Sequence, residues 1–378
     1  MRIERAPART LIARPESGSW QAFDVQLAFY ALALAVIGLL MAWTNSPGGP
    51  LQPGSTFTRG LMWFAIAILA FSLAAAFDYR WLRTFSWLLY GVNIGLLVLT
   101  LAIGTGVGGV QRWVTIFGLQ FQFSEISKVL MIAVLAAYLE ARKDSLGRFT
   151  TFVGASLLVA PPFFLVMIQP DLGTALVFVA ILGGALFLSG ASLRWIGIAA
   201  GSVVAALPVI WSLLHDYQRR RLLSFLDPTS DPQGAGYQVI QSQIAVGSGG
   251  IFGKGLTNGS QAGADFLPVQ STDFAFAVLL EELGFMGGLV VFLLFIGLVW
   301  RILLVGWRSD SVFAIAFAGG MAAVVTFQLL VNAGMVAGMM PVTGIPLPFI
   351  THGGASLTSV AIGLGILQAI HMRGPRPT

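Results

Sequence analysis

Residues 273–300 read DFAFAVLLEELGFMGGLVVFLLFIGLVW, an apolar run that opens on Asp273, carries Glu281 and Glu282 about two turns further on, and then continues without a charge to Trp300. An α-helix needs roughly 20 apolar residues to cross the hydrocarbon core of a bilayer, and this run exceeds that length. Other stretches read the same way, near 25–44, 60–77, 84–104, 124–141, 150–168, 172–190, 195–214, 312–335 and 347–370. Composition agrees: 56% of the 378 residues are hydrophobic and 10% are charged, with a mean hydropathy of +0.84, far from an ordinary soluble domain.

The expected fold class is therefore all-α, a polytopic membrane protein with about ten transmembrane helices. A membrane barrel would instead show short strands of alternating polarity. The first apolar run lacks a small-residue cleavage site and is followed by further spans, so it reads as retained. Residues 1–24 and 372–378 form tails around one membrane domain, 25–371, whose polar interruptions at 105–123 and 215–272 are expected as loops on the outer side. The larger loop lies between the seventh and eighth helices.

Orientation follows from Lys and Arg. With the N-terminus cytoplasmic, fourteen of the 21 basic residues fall on the inner side and six on the outer, namely Arg59, Arg112, Arg219, Arg220, Arg221 and Lys254, while Lys128 lies inside a span. An even number of spans then puts both termini in the cytoplasm. The net charge of +5 reads as topology rather than as a nucleic-acid surface. The chain has no cysteine, which excludes disulfides, thiolate metal sites and cysteine nucleophiles, and its histidines lack ligand spacing for zinc.

Ionisable residues inside spans are costly and are generally paired or functional. Glu125 and Lys128, three apart, lie about 60 degrees apart around a helix and share a face. Asp171 enters the sixth span in QPDLGTA. Either Lys128 is neutralised by Glu125 or Asp171 and fixes packing, or the group shapes a polar cavity open to the outside. In the eighth span Glu281 falls about 80 degrees and roughly 12 Å from Asp273, with Glu282 on the opposite side, so the two glutamates are not expected to share a role. Thr272 and Asp273 also suit a helix N-cap and first-turn acid.

In the loop GTGVGGVQRWVTIFGLQFQFSE (104–125), Trp113 suits an interfacial anchor, and Arg112 beside it is a cation that can meet a phosphate. The triplet Arg219, Arg220 and Arg221 runs against the inside-positive trend. Lipid headgroups or an anionic ligand would explain it. The glycine run 247–255 is not a nucleotide loop, since Lys254 is followed by Gly255 rather than Ser or Thr.

Five motifs in order, GVQRWVTIFGLQFQFSEISK (109–128), QPDLGTA (169–175), YQRRRLLSFLDPTSDPQGAGYQVIQSQIAVGSGGIFGKG (217–255), FLPVQSTDFAFAVLLEELG (266–284) and PVTGIPLPFITHGGAS (341–356), resemble the SEDS family (shape, elongation, division and sporulation proteins) across essentially the whole chain. The spacing before FLP is closer to the rod-shape branch than to the division branch. Two departures stand out: Phe123 replaces a proline, and Thr351 with His352 replaces a Ser-Tyr pair.

The resemblance implies a peptidoglycan glycosyltransferase of the bacterial cytoplasmic membrane that polymerises lipid II into β-1,4 glycan on the outer face, in cell elongation and shape maintenance. It implies Asp273 as the catalytic residue, Trp113 as an important site residue, and a class B penicillin-binding protein as partner. Inversion at the anomeric carbon needs one base, and the departing pyrophosphate needs cations. The expected substrate contacts are Arg112, Trp113, Arg219, Arg220, Arg221, Lys254 and Gln270, around an ion-pair or cavity set of Glu125, Lys128, Asp171 and Glu281. Membrane lipids are the other expected partners, and nucleic acid is not. A divalent cation such as Mg2+ on the pyrophosphate stays open, with no ligand cluster to support it. The alternatives are a division-type polymerase, a transporter of the same lipid through the Glu125–Lys128–Asp171 cavity, and a catalytically silent scaffold.

Overall fold

The computed structural model describes residues 22–46, 49–104, 112–116, 119–213, 216–227, 235–259, 274–351 and 353–374. Helices α1 (Val25–Thr44), α2 (Thr56–Ala76), the short α3 (Arg80–Thr84) and α4 (Ser86–Ile103) lead to strands β1 (Val114–Ile116) and β2 (Leu119–Phe121). There follow α5 (Phe123–Glu140), α6 (Phe149–Ile168), α7 (Leu172–Leu188), α8 (Leu193–Leu213), α9 (Asp216–Leu226), α10 (Ala235–Gly249), α11 (Ala275–Trp307), α12 (Val312–Val336) and α13 (Gly354–Arg373). Seven of the described helices, α1, α2, α4, α6, α11, α12 and α13, are long and apolar enough to cross a membrane. With α5, α7 and α8 they account for the ten expected spans.

α5 carries Glu125, Lys128 and Glu140, yet fourteen of its eighteen residues are buried. It can carry them because it packs against α4, α6, α7, α12 and α13 and so stands inside the bundle rather than against lipid. α2 is at the other extreme: 11% of its apolar window is buried, against 72% for α12 and 78% for α13, so α2 faces lipid and the last two helices face protein. Without a hydrophobic drive between helices in lipid, close packing holds them. At the α7–α12 crossing, a Cβ on Gly184 or on Gly319 would overlap the other's carbonyl group.

Polar contacts tie one end of the bundle together. Asp24 accepts from Leu27 N at 3.0 Å as the N-cap of α1 and pairs with Arg301 of α11. Glu140, at the end of α5, accepts from Phe313 N of α12 at 2.7 Å and lies 3.5 Å from Arg83. Arg373 of α13 donates to the carbonyls of Ala75 and Ala76 at the end of α2. This is the end that collects the basic loops assigned to the inner side.

Both outer loops carry structure of their own, and two spans have other bounds than expected. The 105–123 loop contains an antiparallel hairpin, Val114 opposite Phe121 and Ile116 opposite Leu119, so the all-α class carries two three-residue strands. The 215–272 loop contains α9 and α10, and α10 packs on α11 and α12. Val239, Ser242 and Ala245, spaced by one helical turn, are its buried face, and Ser242 Oγ donates to Val336 O at 3.2 Å. The span expected at 347–370 starts at Gly354, because the chain turns at residues 348–350 before it, with Phe349 at φ 68°. The span expected at 273–300 runs from 275 to 307 and is broken at Gly284 (φ 68°, ψ −167°), a conformation essentially confined to glycine.

Candidate active site

The starts of α5, α7 and α11 share the end of the bundle opposite the basic loops. Asp171 is the N-cap of α7: its Oδ1 accepts from Thr174 N at 3.2 Å, and its Oδ2 accepts from Gln122 Nε2 at 3.1 Å. Arg112, 3.9 Å from Asp171 Oδ1, donates to Gln169 O at 3.2 Å and to Pro170 O. Gln169 Nε2 in turn donates to Leu97 O of α4 at 3.0 Å. The Gln-Pro-Asp corner is thus clamped from the hairpin, from the start of α5 and from α4. The hairpin itself rests on α2 through an edge contact between Phe121 and Trp63, centroids 5.3 Å apart.

Lys128 Nζ lies 2.8 Å from Glu125 Oε2, with both side chains at most 2% exposed. Of the two partners offered by the sequence, Lys128 takes the one on its own helix face, since Asp171 is occupied by its cap, Gln122 and Arg112. Glu125 Oε1 and the hydroxyls of Ser124 and Ser127 are buried and make no hydrogen bond among the described residues. Buried polar atoms of this kind call for water or a ligand.

The start of α11 is clasped by the glycine run. Lys254 N and Gly255 N donate to Glu281 O and Glu282 O at 3.0 Å each, while Phe285 N and Met286 N donate to Gly250 O and Ile251 O at 2.9 and 3.0 Å. These bonds take up the backbone groups that the break at Gly284 frees. Lys254 Nζ pairs with Glu281 Oε1 at 2.7 Å, Ser248 Oγ approaches the same oxygen at 3.4 Å, and Thr257 N donates to Glu282 Oε1 at 3.1 Å. Glu281 and Glu282 meet different partners, Lys254 with Ser248 for the first and Thr257 for the second, all supplied by the 248–257 segment that wraps the helix end. Glu281 therefore belongs with Lys254 and not with the Glu125–Lys128 pair.

The remaining expected residues are dispersed. Arg219 donates to Trp211 O at 3.1 Å and Ser212 O at 2.7 Å, capping the end of α8. Trp113 is half-buried next to β1. Asp273, Gln270, Thr272 and His352 lie outside the described residues, as do the side chains of Arg220 and Arg221. The N-cap position of α11 falls on Phe274, which is fully buried and makes no side-chain cap bond, two residues past Thr272, the residue expected in that role. Phe123 begins α5 and is buried, and Thr351 Oγ1 donates to Leu347 O at 3.0 Å. Gln122 was not anticipated; an amide in an aromatic-rich loop carries no signal of its own. Among the described residues no cluster of His, Cys, Asp or Glu is placed to hold a metal ion.

The cell cycle protein family that groups FtsW, RodA and SpoVE matches residues 25–374. The peptidoglycan glycosyltransferase MrdB of Escherichia coli strain K12 is 40% identical over 351 residues, covering 92% of this chain and 93% of that protein. A chain from a solved peptidoglycan synthase complex that coordinates polymerization and crosslinking superimposes with TM-score 0.78 at 33% identity, over 93% of this chain and 98% of that one. The rod shape determining protein RodA of Thermus thermophilus gives TM-score 0.71 at 28% identity, over 95% and 99%.

Proposed function

The chain belongs to the cell cycle protein family of FtsW, RodA and SpoVE, and from that premise we propose that Asp273 is the general base of its active centre. The protein is a multi-pass membrane peptidoglycan glycosyltransferase, nearest in kind to the rod-shape polymerases. Its substrate is lipid II and its partner a class B penicillin-binding protein, which crosslinks the strand as it grows. The membrane domain holds both tails in the cytoplasm and works at the outer face.

In the reaction the 4-hydroxyl of the acceptor sugar attacks the donor anomeric carbon. The bond to pyrophosphate breaks, its electron pair leaves with the pyrophosphate, and the hydroxyl proton passes to the Asp273 carboxylate. The observation that supports this assignment is the start of α11, where Phe274 occupies the N-cap and the acid precedes it. Arg112 and Lys254 are positioning residues: one holds the Gln-Pro-Asp corner and the other the loop over the helix break. Arg220, Arg221, Gln270 and Trp113 then serve the pyrophosphate and the sugar.

Labelled lipid II supplied to the purified protein, alone and with its partner, tests the reading by glycan length. Asp273→Asn keeps the size of the side chain and deletes its basicity, so it should fold, bind lipid II and make no glycan. Near wild-type polymerisation by that variant across the pH range would move the base elsewhere.

A further inference from the structure

The end of the bundle opposite the proposed active centre carries a cavity of its own. It has a volume of about 360 Å³ and lies between the start of α4, the end of α5 and the middle of α6. Arg83, Arg142 and Lys143 stand around it, Trp87 and Tyr138 wall it, and the apolar side chains of Val134 and Leu158 line its inner part. The one carboxylate present, Glu140, has both oxygens engaged: one lies 3.5 Å from Arg83, and the other accepts from Phe313 N at 2.7 Å and Ser311 Oγ at 3.2 Å. Three cations thus face one acid. Arg142 and Lys143 are exposed and form no ion pair among the described residues; the Arg142 guanidinium is held 3.9 Å over the Tyr138 ring.

Depth and polarity narrow the ligand. Trp81 and Trp87 flank the start of α4 at 52% and 72% exposure, as aromatic side chains do at the headgroup level of a bilayer. A basic rim over an apolar inner wall suits a molecule with a phosphate at one end and a hydrocarbon chain at the other. Free phosphate shares the charge chemistry but has no use for Val134 and Leu158. We propose that this cavity binds one anionic phospholipid, its phosphodiester against Arg83, Arg142 and Lys143 and the start of an acyl chain over Val134 and Leu158.

Native mass spectrometry of the full chain in detergent tests this without reference to orientation or to polymerase activity. Added phosphatidylglycerol should be retained at one per chain in preference to phosphatidylcholine, and millimolar inorganic phosphate should not displace it. The double variant Arg142→Ala/Lys143→Ala should bind it at least about tenfold more weakly. The charge-matched control Arg148→Ala/Arg194→Ala, at exposed basic residues of the same end, should bind as the wild type does. An unchanged unfolding temperature without lipid verifies that both variants are folded. Equal weakening in the two variants, no preference for the anionic lipid, or displacement by inorganic phosphate would each overturn the site.

Discussion

At the residue scale, the partner of Lys128 is decided by helix geometry. Glu125 lies one turn away on the same face of α5, at 2.8 Å, whereas Asp171 is taken up by Thr174 N, Gln122 and Arg112. Lys128→Ala strips a buried carboxylate of its counter-charge, which costs on the order of 3–5 kcal/mol in a fully buried pair. The variant should unfold at lower temperature and polymerise less glycan; normal values of both would remove the pair from the account. Arg112 bonds two carbonyls at once through its planar fork, which a lysine cannot reproduce. Arg112→Lys should therefore lose about 1.5–3 kcal/mol for a hydrogen bond from a charged donor, with a fall in unfolding temperature as the measure. An unfolding temperature equal to wild type would show that the corner is held without it. The charges themselves were legible in the sequence; Gln122 was not, because its role exists only once the hairpin meets the start of α7.

At the scale of the element, α11 is two helices in one run. Its 33 residues would extend about 50 Å if straight, well beyond a hydrocarbon core of roughly 30 Å, and the break at Gly284 divides it into a short entry segment and a span. The break is stabilised from outside by four backbone bonds to residues 250–255. A Cβ at Gly284 would overlap the amide nitrogen of Gly253, and its backbone conformation is closed to other residues. Gly284→Ala should cost on the order of 1–3 kcal/mol in backbone strain, and the overlap should free the clasp. Hydrogen exchange at the amides of Lys254 and Gly255 should then accelerate; exchange as slow as in the wild type would mean that the clasp does not depend on the break. Apolar composition announced this helix without ambiguity, but the break rests on one glycine among several in the run.

At the scale of the whole molecule, the ion pairs and caps that join α1 to α11, α5 to α12 and α2 to α13 lie at one end, and the clamp, the buried pair and the clasped helix start lie at the other. Cysteines introduced at Ser230 and at Ser260 should react with an impermeant thiol reagent in intact cells, and one at Ser145 should be protected; the reverse pattern would invert the orientation. The sequence by itself determined the class and the number of spans, because a chain in lipid must satisfy its backbone within helices and hydropathy reports that demand residue by residue. It also determined which end gathers the basic loops, since that bias is a sum over positions. Tertiary structure alone decided that α5, charged as it is, stands in the middle, that α10 folds back from a polar stretch onto α11 and α12, and that Lys254 is held by Glu281. Each of these rests on a contact between segments far apart in the chain, where a favourable partner outweighs what the local composition prefers.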